Sequence, residues 1–330
     1  MVIIFIIAID SGTTNSRISL INKENKTLLA YKKMNIGVRN TIPYKGNEIL
    51  RDTITDAIQG ILREENISLK EIEYVVASGM ITSNLGIVEV PHIKTPVNKQ
   101  NLSDAVHQME LEEFPGLPWY FIPGLKTSLN YKGQELKYYD VIRGEESETF
   151  GLLDVINVTG NGLIILPGSH NKIIFVKDNS ITNFYTTLSG ELLYAIKKDT
   201  ILSSSLKGLL IETINYEYLL KGLKDALEFG VTKTLFHIRL MDLFKDTTEN
   251  DLANYMTGAI IASDLETLKY TRSREVDWIL IGGSDPLREA YYYIFNVLYA
   301  GTVIHKASEK DVTMSTFLGA SSIVEKLRNN

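Results

Sequence analysis

At 330 residues the chain exceeds the roughly 250 to 300 at which a single hydrophobic core stops growing, so two domains are the expectation. Its 44% hydrophobic and 22% charged residues describe a globular protein with material for two cores, and a net charge of -6 argues against nonspecific nucleic-acid binding. Cysteine is absent, which excludes disulfides, thiolate metal sites and cysteine nucleophiles together and fits a cytoplasmic protein.

The first predicted element is a strand. Val2 to Ile9 is a nearly unbroken, β-branched apolar run, far short of the roughly 20 residues of a membrane span. It has neither the basic lead nor the small-residue cleavage site of a secretory signal, and no other window reaches spanning length, so no membrane role is expected. The run ends in Asp10 Ser11 Gly12 Thr13 Thr14 Asn15, and alternation resumes at Arg17: strand, tight turn, strand. Gly12 would let the backbone come close to a ligand, the amides and hydroxyls of Thr13 and Thr14 suit phosphate oxygens, and Asp10 could hold a hydrated magnesium. A polar hairpin with an Asx-type turn would carry the same residues.

Thr27 to Lys33 reads as a third antiparallel strand, Asn47 to Glu65 as an amphipathic helix with Ile49, Ile54, Ile58, Ile61 and Leu62 close to helical spacing and charges on the other face, and Tyr74 to Ala77 as a short strand ending at Ser78 Gly79. Strands, helix and strand in that order make an α/β unit. Gly116 to Asn130, rich in Pro and Gly, is expected to be irregular loop. A second unit opens near Asn161. Gly162 to Leu166, the turn Pro167 Gly168 Ser169 His170 Asn171 Lys172, and Ile173 to Val176 repeat the first hairpin in kind, with a turn about one residue different in length. Farther on, helices are expected from Ser189 through Ile196, from Asn215 to Phe229 and from Asn250 to Leu268; Trp278 to Ile281 is a strand ending in Gly282 Gly283 Ser284. A helix starting near Pro286 and a final one from Val312 to Leu327 complete the chain.

Glycine-bearing corners at Gly12, Gly168 and Gly282 Gly283, with Glu145 Glu146 between the first two, resemble the sugar-kinase, heat-shock ATPase and actin superfamily. More closely, the chain is similar to the 2-dehydro-3-deoxygalactonokinases. The residues carrying this are Ala8 to Asn15; Ser78 to Gly86; Ile122 Pro123 Gly124 Leu125; Arg143 Gly144 Glu145 Glu146; Pro167 to Lys172; and Leu188 Ser189 Gly190 Glu191 Leu192, in order over the first two-thirds of the chain. Ile173 and Ile87 stand where the family favours aromatics.

The resemblance implies an α/β fold of two duplicated ribonuclease-H-like (actin-like ATPase) domains with a cleft between them, 1–155 and 156–330, closing over ATP and Mg2+. Asp10 would orient the metal; Gly12, Thr13 and Thr14 would touch the terminal phosphates; Gly168 and Ser169 would approach from the other domain; Gly282 and Gly283 would admit the adenosine. The base would be Glu145 or Glu146, with the alignment favouring Glu145. Ser83 and Asn84 are candidates for substrate hydroxyls, and Arg143 and Lys172 for a substrate carboxylate, although Lys172 could equally meet ATP. His170 joins them by its place in the second corner. The implied reaction is phosphorylation of the 6-hydroxyl of 2-dehydro-3-deoxy-D-galactonate. The partners are then ATP and a small sugar acid, in a chain compatible with a homodimer. A kinase of another sugar acid, or a noncatalytic nucleotide- or sugar-binding sensor, would keep the same fold.

Overall fold

Alternation and β-branching at the N-terminus produce an antiparallel meander in the computed structural model, which describes residues 4–39, 47–128, 136, 139–208, 210–269 and 276–329. Its strands are β1 (Phe5–Ser11), β2 (Ser16–Asn22) and β3 (Leu28–Met34). Val2 and Ile3 of the expected first strand lie outside the described residues. Helix α1 (Glu48–Glu64) buries Leu50, Ile54, Ile58 and Ile61, one face of a 3.6-residue period. Strand β4 (Ile72–Gly79) then pairs in parallel with β1, setting Asp10 beside Ser78 and Ser11 beside Gly79.

After the short strands β5 (Ile93–Lys94) and β6 (Val97–Asn98), α2 (Lys99–Asp104) is capped by the Asn98 side chain and leads to β7 (His107–Glu110) and β8 (Pro118–Phe121). Strand β8 corrects the expectation of loop from Gly116 to Asn130, of which Leu129 and Asn130 lie outside the described residues. Pro118 takes the first strand position, where a missing N–H is tolerated, and the buried Trp119, Tyr120 and Phe121 are strong strand formers pairing in parallel with β4. Strands β9 (Leu125–Lys126) and β10 (Val141–Ile142) join β5 in a small sheet, and α3 (Glu145–Ile156) follows. The main sheet runs β3-β2-β1-β4-β8-β7.

The second half repeats this plan. Strands β11 (Asn161–Leu166), β12 (Asn171–Lys177) and β13 (Ser180–Thr187) precede helices α4 (Ser189–Asp199), α5 (Tyr216–Phe229), α6 (Val231–Phe244) and α7 (Glu249–Lys269). Strand β14 (Trp278–Ile281), helix α8 (Leu287–Leu298) and strand β15 (Val303–Lys306) follow. Starting from each meander's third strand, both sheets run third, second, first, then two strands parallel to the first: β3-β2-β1-β4-β8 and β13-β12-β11-β14-β15. Four residues separate the paired Ser11 and Ser16, five separate Leu166 and Lys172, the one-residue difference expected. These are two ribonuclease-H-like domains of the actin-like ATPase class. Helix α6 had no sequence signal: its apolar residues are distributed around the axis rather than along one stripe, and Gly230 at φ 80° separates it from α5.

Contacts divide the described chain into two units, one running up to Val158 with Asn179–Asn183 and the chain from Lys310 onward, the other Thr159–Asp178 and Phe184–Glu309. The last helix, α9 (Glu309–Arg328), expected in the second domain, therefore groups with the first. The reason is backbone contact with α3: a Cβ on Gly319 would collide with the Ser147 carbonyl, and one on Gly151 with the Ser315 carbonyl. Among the described residues no helix is long and apolar enough to cross a membrane. Gly151→Ala should cost about 1–3 kcal/mol, the usual penalty of overpacking, visible as a lowered melting temperature; an unchanged melting temperature would contradict this packing.

Candidate functional site

The parallel pairing of β1 and β4 brings two backbone ends to Asp10. Gly79, at φ 84°, lies so close that a Cβ there would sit 2.5 Å from the Ser11 carbonyl oxygen and 3.1 Å from Asp10 Oδ1. Gly144, at φ 114°, packs on Gly79: its Cβ would lie 3.3 Å from the Gly79 Cα and 3.8 Å from Asp10 Oδ1. Both conformations favour glycine. Together they open a cradle over the Asp10 carboxylate that any side chain would fill, and they let the N-terminus of α3 approach it. Asp10 Oδ2 receives Arg17 Nη1 at 2.6 Å. Burial still lifts the Asp10 carboxyl above its ordinary range, with Arg17 opposing the rise and Glu145 adding to it.

The two expected bases separate here. Glu145 is half-buried and accepts the Arg143 N–H at 3.0 Å. Glu146 is fully buried and folds back so that both its oxygens lie 2.8 Å from the Gly144 N–H. Burial, then the charge of Glu145, pushes its carboxyl up to about 8. Enclosed and turned onto the backbone, Glu146 holds Gly144 in place and is not open to an acceptor, which corrects its expected part as a candidate base.

Arg143 also departs from expectation. Its Nη1 donates to the Thr82 carbonyl (2.6 Å) and hydroxyl (2.5 Å), and its Nη2 to the Val90 carbonyl (3.0 Å), with His92 Nδ1 at 3.1 Å. Burial, with Arg143 and Lys126 nearby, lowers His92 to about 4, so it is neutral at physiological pH. The guanidinium ties residues 82–92 to the 143–146 segment. Ser83, buried within that loop, donates to the Met80 carbonyl at 2.7 Å, while Asn84 is exposed. Thr13 and Thr14 are exposed on a turn closed by Gly12 N–H to the Asn15 carbonyl at 2.8 Å and braced by Arg39 N–H on the Thr13 carbonyl at 2.9 Å.

In the second unit the turn after β11 is built on side chains. Gly168 N–H donates to Asn171 Oδ1 at 2.8 Å, and Glu191 N–H reaches the Ser169 carbonyl at 2.9 Å. A Cβ on Gly190 would strike the Gly168 carbonyl, so α4 begins directly on this turn; a Cβ on Gly283 would strike the Pro167 carbonyl, so the Gly282 Gly283 corner lies against it too. Ser169 is exposed, and His170 is half-buried with Nε2 3.5 Å from Glu191 Oε2. Lys172 is buried, its ammonium 3.2 Å from the His170 carbonyl oxygen. Ser83, Asn84 and Arg143 thus belong to one unit, His170 and Lys172 to the other.

Beside the third corner lies a groove of about 690 Å³ lined by Tyr194, Lys197, Lys198, Leu206, Ile211 and Pro286 among others. Sequence reasoning missed it, because its walls come from α4, the following turn and the start of α8. It missed Arg17, Thr82 and His92 as well; only Arg17, the first charged residue after the turn, offered a local signal. Among the described residues no group of three or more His, Asp or Glu side chains could hold a metal directly. Asp10, in its glycine cradle, fits a magnesium that keeps most of its waters.

Glu146 generates a pH prediction. Its folded-state pKa, near 8, is above its ordinary value, so its contribution to stability is complete below about pH 4.5 and is lost as pH rises toward 8, at most about 1.4 kcal/mol per pH unit. Glu146→Gln should flatten that decline, so its melting temperature gains several degrees on wild type between pH 5.5 and 8.5. Parallel pH profiles for the two proteins would contradict the burial of an uncompensated carboxyl.

The 2-keto-3-deoxy-galactonokinase family profile matches residues 10–315. The chain is 22% identical over 293 residues to a 2-dehydro-3-deoxygalactonokinase of Escherichia coli K12, covering 88% of this chain and 89% of that one. It is 24% identical over 226 residues to a Rhizobium meliloti 1021 protein provisionally named 2-dehydro-3-deoxygalactonokinase DgoK1, covering 66% and 68%. A crystal structure from Sinorhizobium meliloti, provisionally described as a 2-dehydro-3-deoxygalactonokinase protein, superposes with a TM-score of 0.76 at 21% identity, covering 97% of this chain and 98% of that one. The family match begins at Asp10 and takes in the glycine corners, the acidic pair and the first turns of α9: the chain belongs to the 2-keto-3-deoxy-galactonokinase family.

Proposed function

We propose that the protein is a sugar-acid kinase that transfers the terminal phosphoryl group of ATP to the 6-hydroxyl of 2-dehydro-3-deoxy-D-galactonate. The observation that carries this reading is the pairing of two different carboxylates at one corner: Asp10 in a glycine cradle, and Glu145 half-open at the start of α3. Phosphoryl transfer asks little covalent chemistry of a protein beyond holding the phosphates, a metal and an aimed hydroxyl. Bound magnesium would neutralise charge on the transferring phosphoryl group, with Asp10 as the side chain that orients its waters. Glu145 would take the hydroxyl proton as the acceptor oxygen bonds to the terminal phosphorus and ADP leaves.

The remaining parts have supports of different kinds. Thr13 and Thr14 sit exposed on the braced first turn, suited to phosphate oxygens. In the second unit, Ser169 on its turn and the groove beside Gly282 Gly283 would receive the nucleotide, with the apolar walls at Leu206 and Ile211 against the base and Lys197 and Lys198 at the rim. Ser83 and Asn84 are the candidates for sugar contacts. The commitment of Arg143 to Thr82, Val90 and His92 favours one further acceptor class, neutral sugars, because that guanidinium is not offered to a carboxylate.

Glu145→Gln should lower kcat about a hundred- to ten-thousandfold while leaving the KM for ATP nearly unchanged, the range expected on losing a general base. Glu146→Gln should keep kcat within about tenfold, since the residue acts through Gly144. Full turnover in Glu145→Gln with loss in Glu146→Gln would reverse the assignment. No substrate-dependent ADP release from any member of a panel of sugar acids and neutral sugars would sink the kinase reading.

A further inference from the structure

The second turn rests on a buried polar network that the phosphoryl-transfer reading does not use. Asp264 of α7 is 3% exposed, and around it stand Asn171 at 1%, Tyr291 of α8 at 2% and Ser189 of α4 at 5%. Asp264 Oδ2 accepts Asn171 Nδ2 at 2.8 Å and the Tyr291 hydroxyl; Asp264 Oδ1 accepts the Ser189 hydroxyl at 2.6 Å. Asn171 Nδ2 also donates to the Tyr291 oxygen, and on its other side Asn171 Oδ1 receives the Gly168 N–H at 2.8 Å.

The chemistry of these groups gives the network a direction. An asparagine amide is nearly symmetric in shape, and only its partners decide which end is oxygen. Asp264 accepts from Asn171, Tyr291 and Ser189 alike, so it draws the amide nitrogen of Asn171 toward itself and leaves the oxygen for Gly168. That bond fixes the peptide at the tip of the hairpin, next to the exposed Ser169. Desolvating a carboxylate is costly, and a core that needed only packing would be served by an apolar side chain. The orientation of one amide is what this carboxylate supplies.

We propose that Asp264 is a positioning residue for phosphate binding at the Gly168 Ser169 turn, acting through the Asn171 amide. The proposal rests on the reading of that turn as a phosphate contact. It links α7, 93 residues away in sequence from Asn171, to the geometry of the hairpin tip.

The test measures the affinity of the full-length chain for magnesium ADP, together with melting temperature and the KM for the sugar acid. Asp264→Ala should weaken ADP binding about tenfold or more, the consequence of losing one well-placed hydrogen-bond chain, and leave the sugar-acid KM unchanged. Asp264→Asn should restore binding to within about threefold, because its amide oxygen can face Asn171 and Tyr291 while its nitrogen faces Ser189. Ser189→Ala removes a buried bond to the other carboxylate oxygen; it should lower the melting temperature yet keep ADP affinity within about twofold. Should Asp264→Ala not fold, Asn171→Ala severs the same chain and is read the same way. Wild-type ADP affinity in Asp264→Ala, or equal weakening in Ser189→Ala, would overturn the proposal and leave the network a role in stability alone. Gly168→Asp, which sets a negative charge in the turn, reads the underlying assumption separately: undiminished ADP binding there would show that the turn holds no phosphate, whatever Asp264 does.

Discussion

Three carboxylates brought to the ends of β1 and α3 are the constraint around which the first unit is organised. Asp10, Glu145 and Glu146 repel one another in a partly desolvated corner, and the fold offsets the repulsion with one device for each. Arg17 pairs with Asp10, the Arg143 N–H bonds Glu145, and Glu146 is enclosed against the Gly144 N–H with its pKa pushed up to about 8. None of this could assemble if Gly79 and Gly144 carried side chains, because their backbones touch where a Cβ would stand. Such a corner keeps an unfavourable charge arrangement, and the proposed phosphoryl transfer would put it to use, with Asp10 orienting a metal and Glu145 accepting a proton.

The duplicated second unit has the same strand order and resolves the equivalent corner with the opposite material. Where the first strand ends in Asp10 and Ser11, the second ends in Ile165 and Leu166, and its turn is held by the neutral amide of Asn171. Behind that turn the carboxyl group of Asp264 lies in the core and accepts from the Asn171 amide. If that turn meets a polyphosphate, as proposed, a carboxyl group buried behind it repels the ligand less than one presented at its tip.

What the sequence disclosed follows the range of the interactions involved. The two hairpins, Asp10, the glycine corners and the Arg143 to Glu146 segment are local patterns, each legible within a dozen residues. The fate of Arg143 was not, because its partners Thr82, Val90 and His92 are over fifty residues away and a guanidinium in a motif looks the same whether it binds a ligand or a loop. Tyr291, in a run of three tyrosines, gave no sign of a buried hydroxyl facing Asp264. The return of α9 to the first unit was hidden for a similar reason: Gly319 and Gly151 signal close packing but not with which helix. Strand β8 was masked by Pro118, whose position at the strand start is harmless only once the neighbouring strand is known.

The central claim is that this corner moves a phosphoryl group to a sugar-acid hydroxyl. It is tested most directly by incubating the purified protein with ATP, magnesium and 2-dehydro-3-deoxy-D-galactonate and following the products by phosphorus NMR. The account predicts ADP formed in step with a phosphate monoester whose signal is coupled to the protons of the terminal carbon. ADP matched only by inorganic phosphate, or no more ADP than in the absence of the sugar acid, would contradict it.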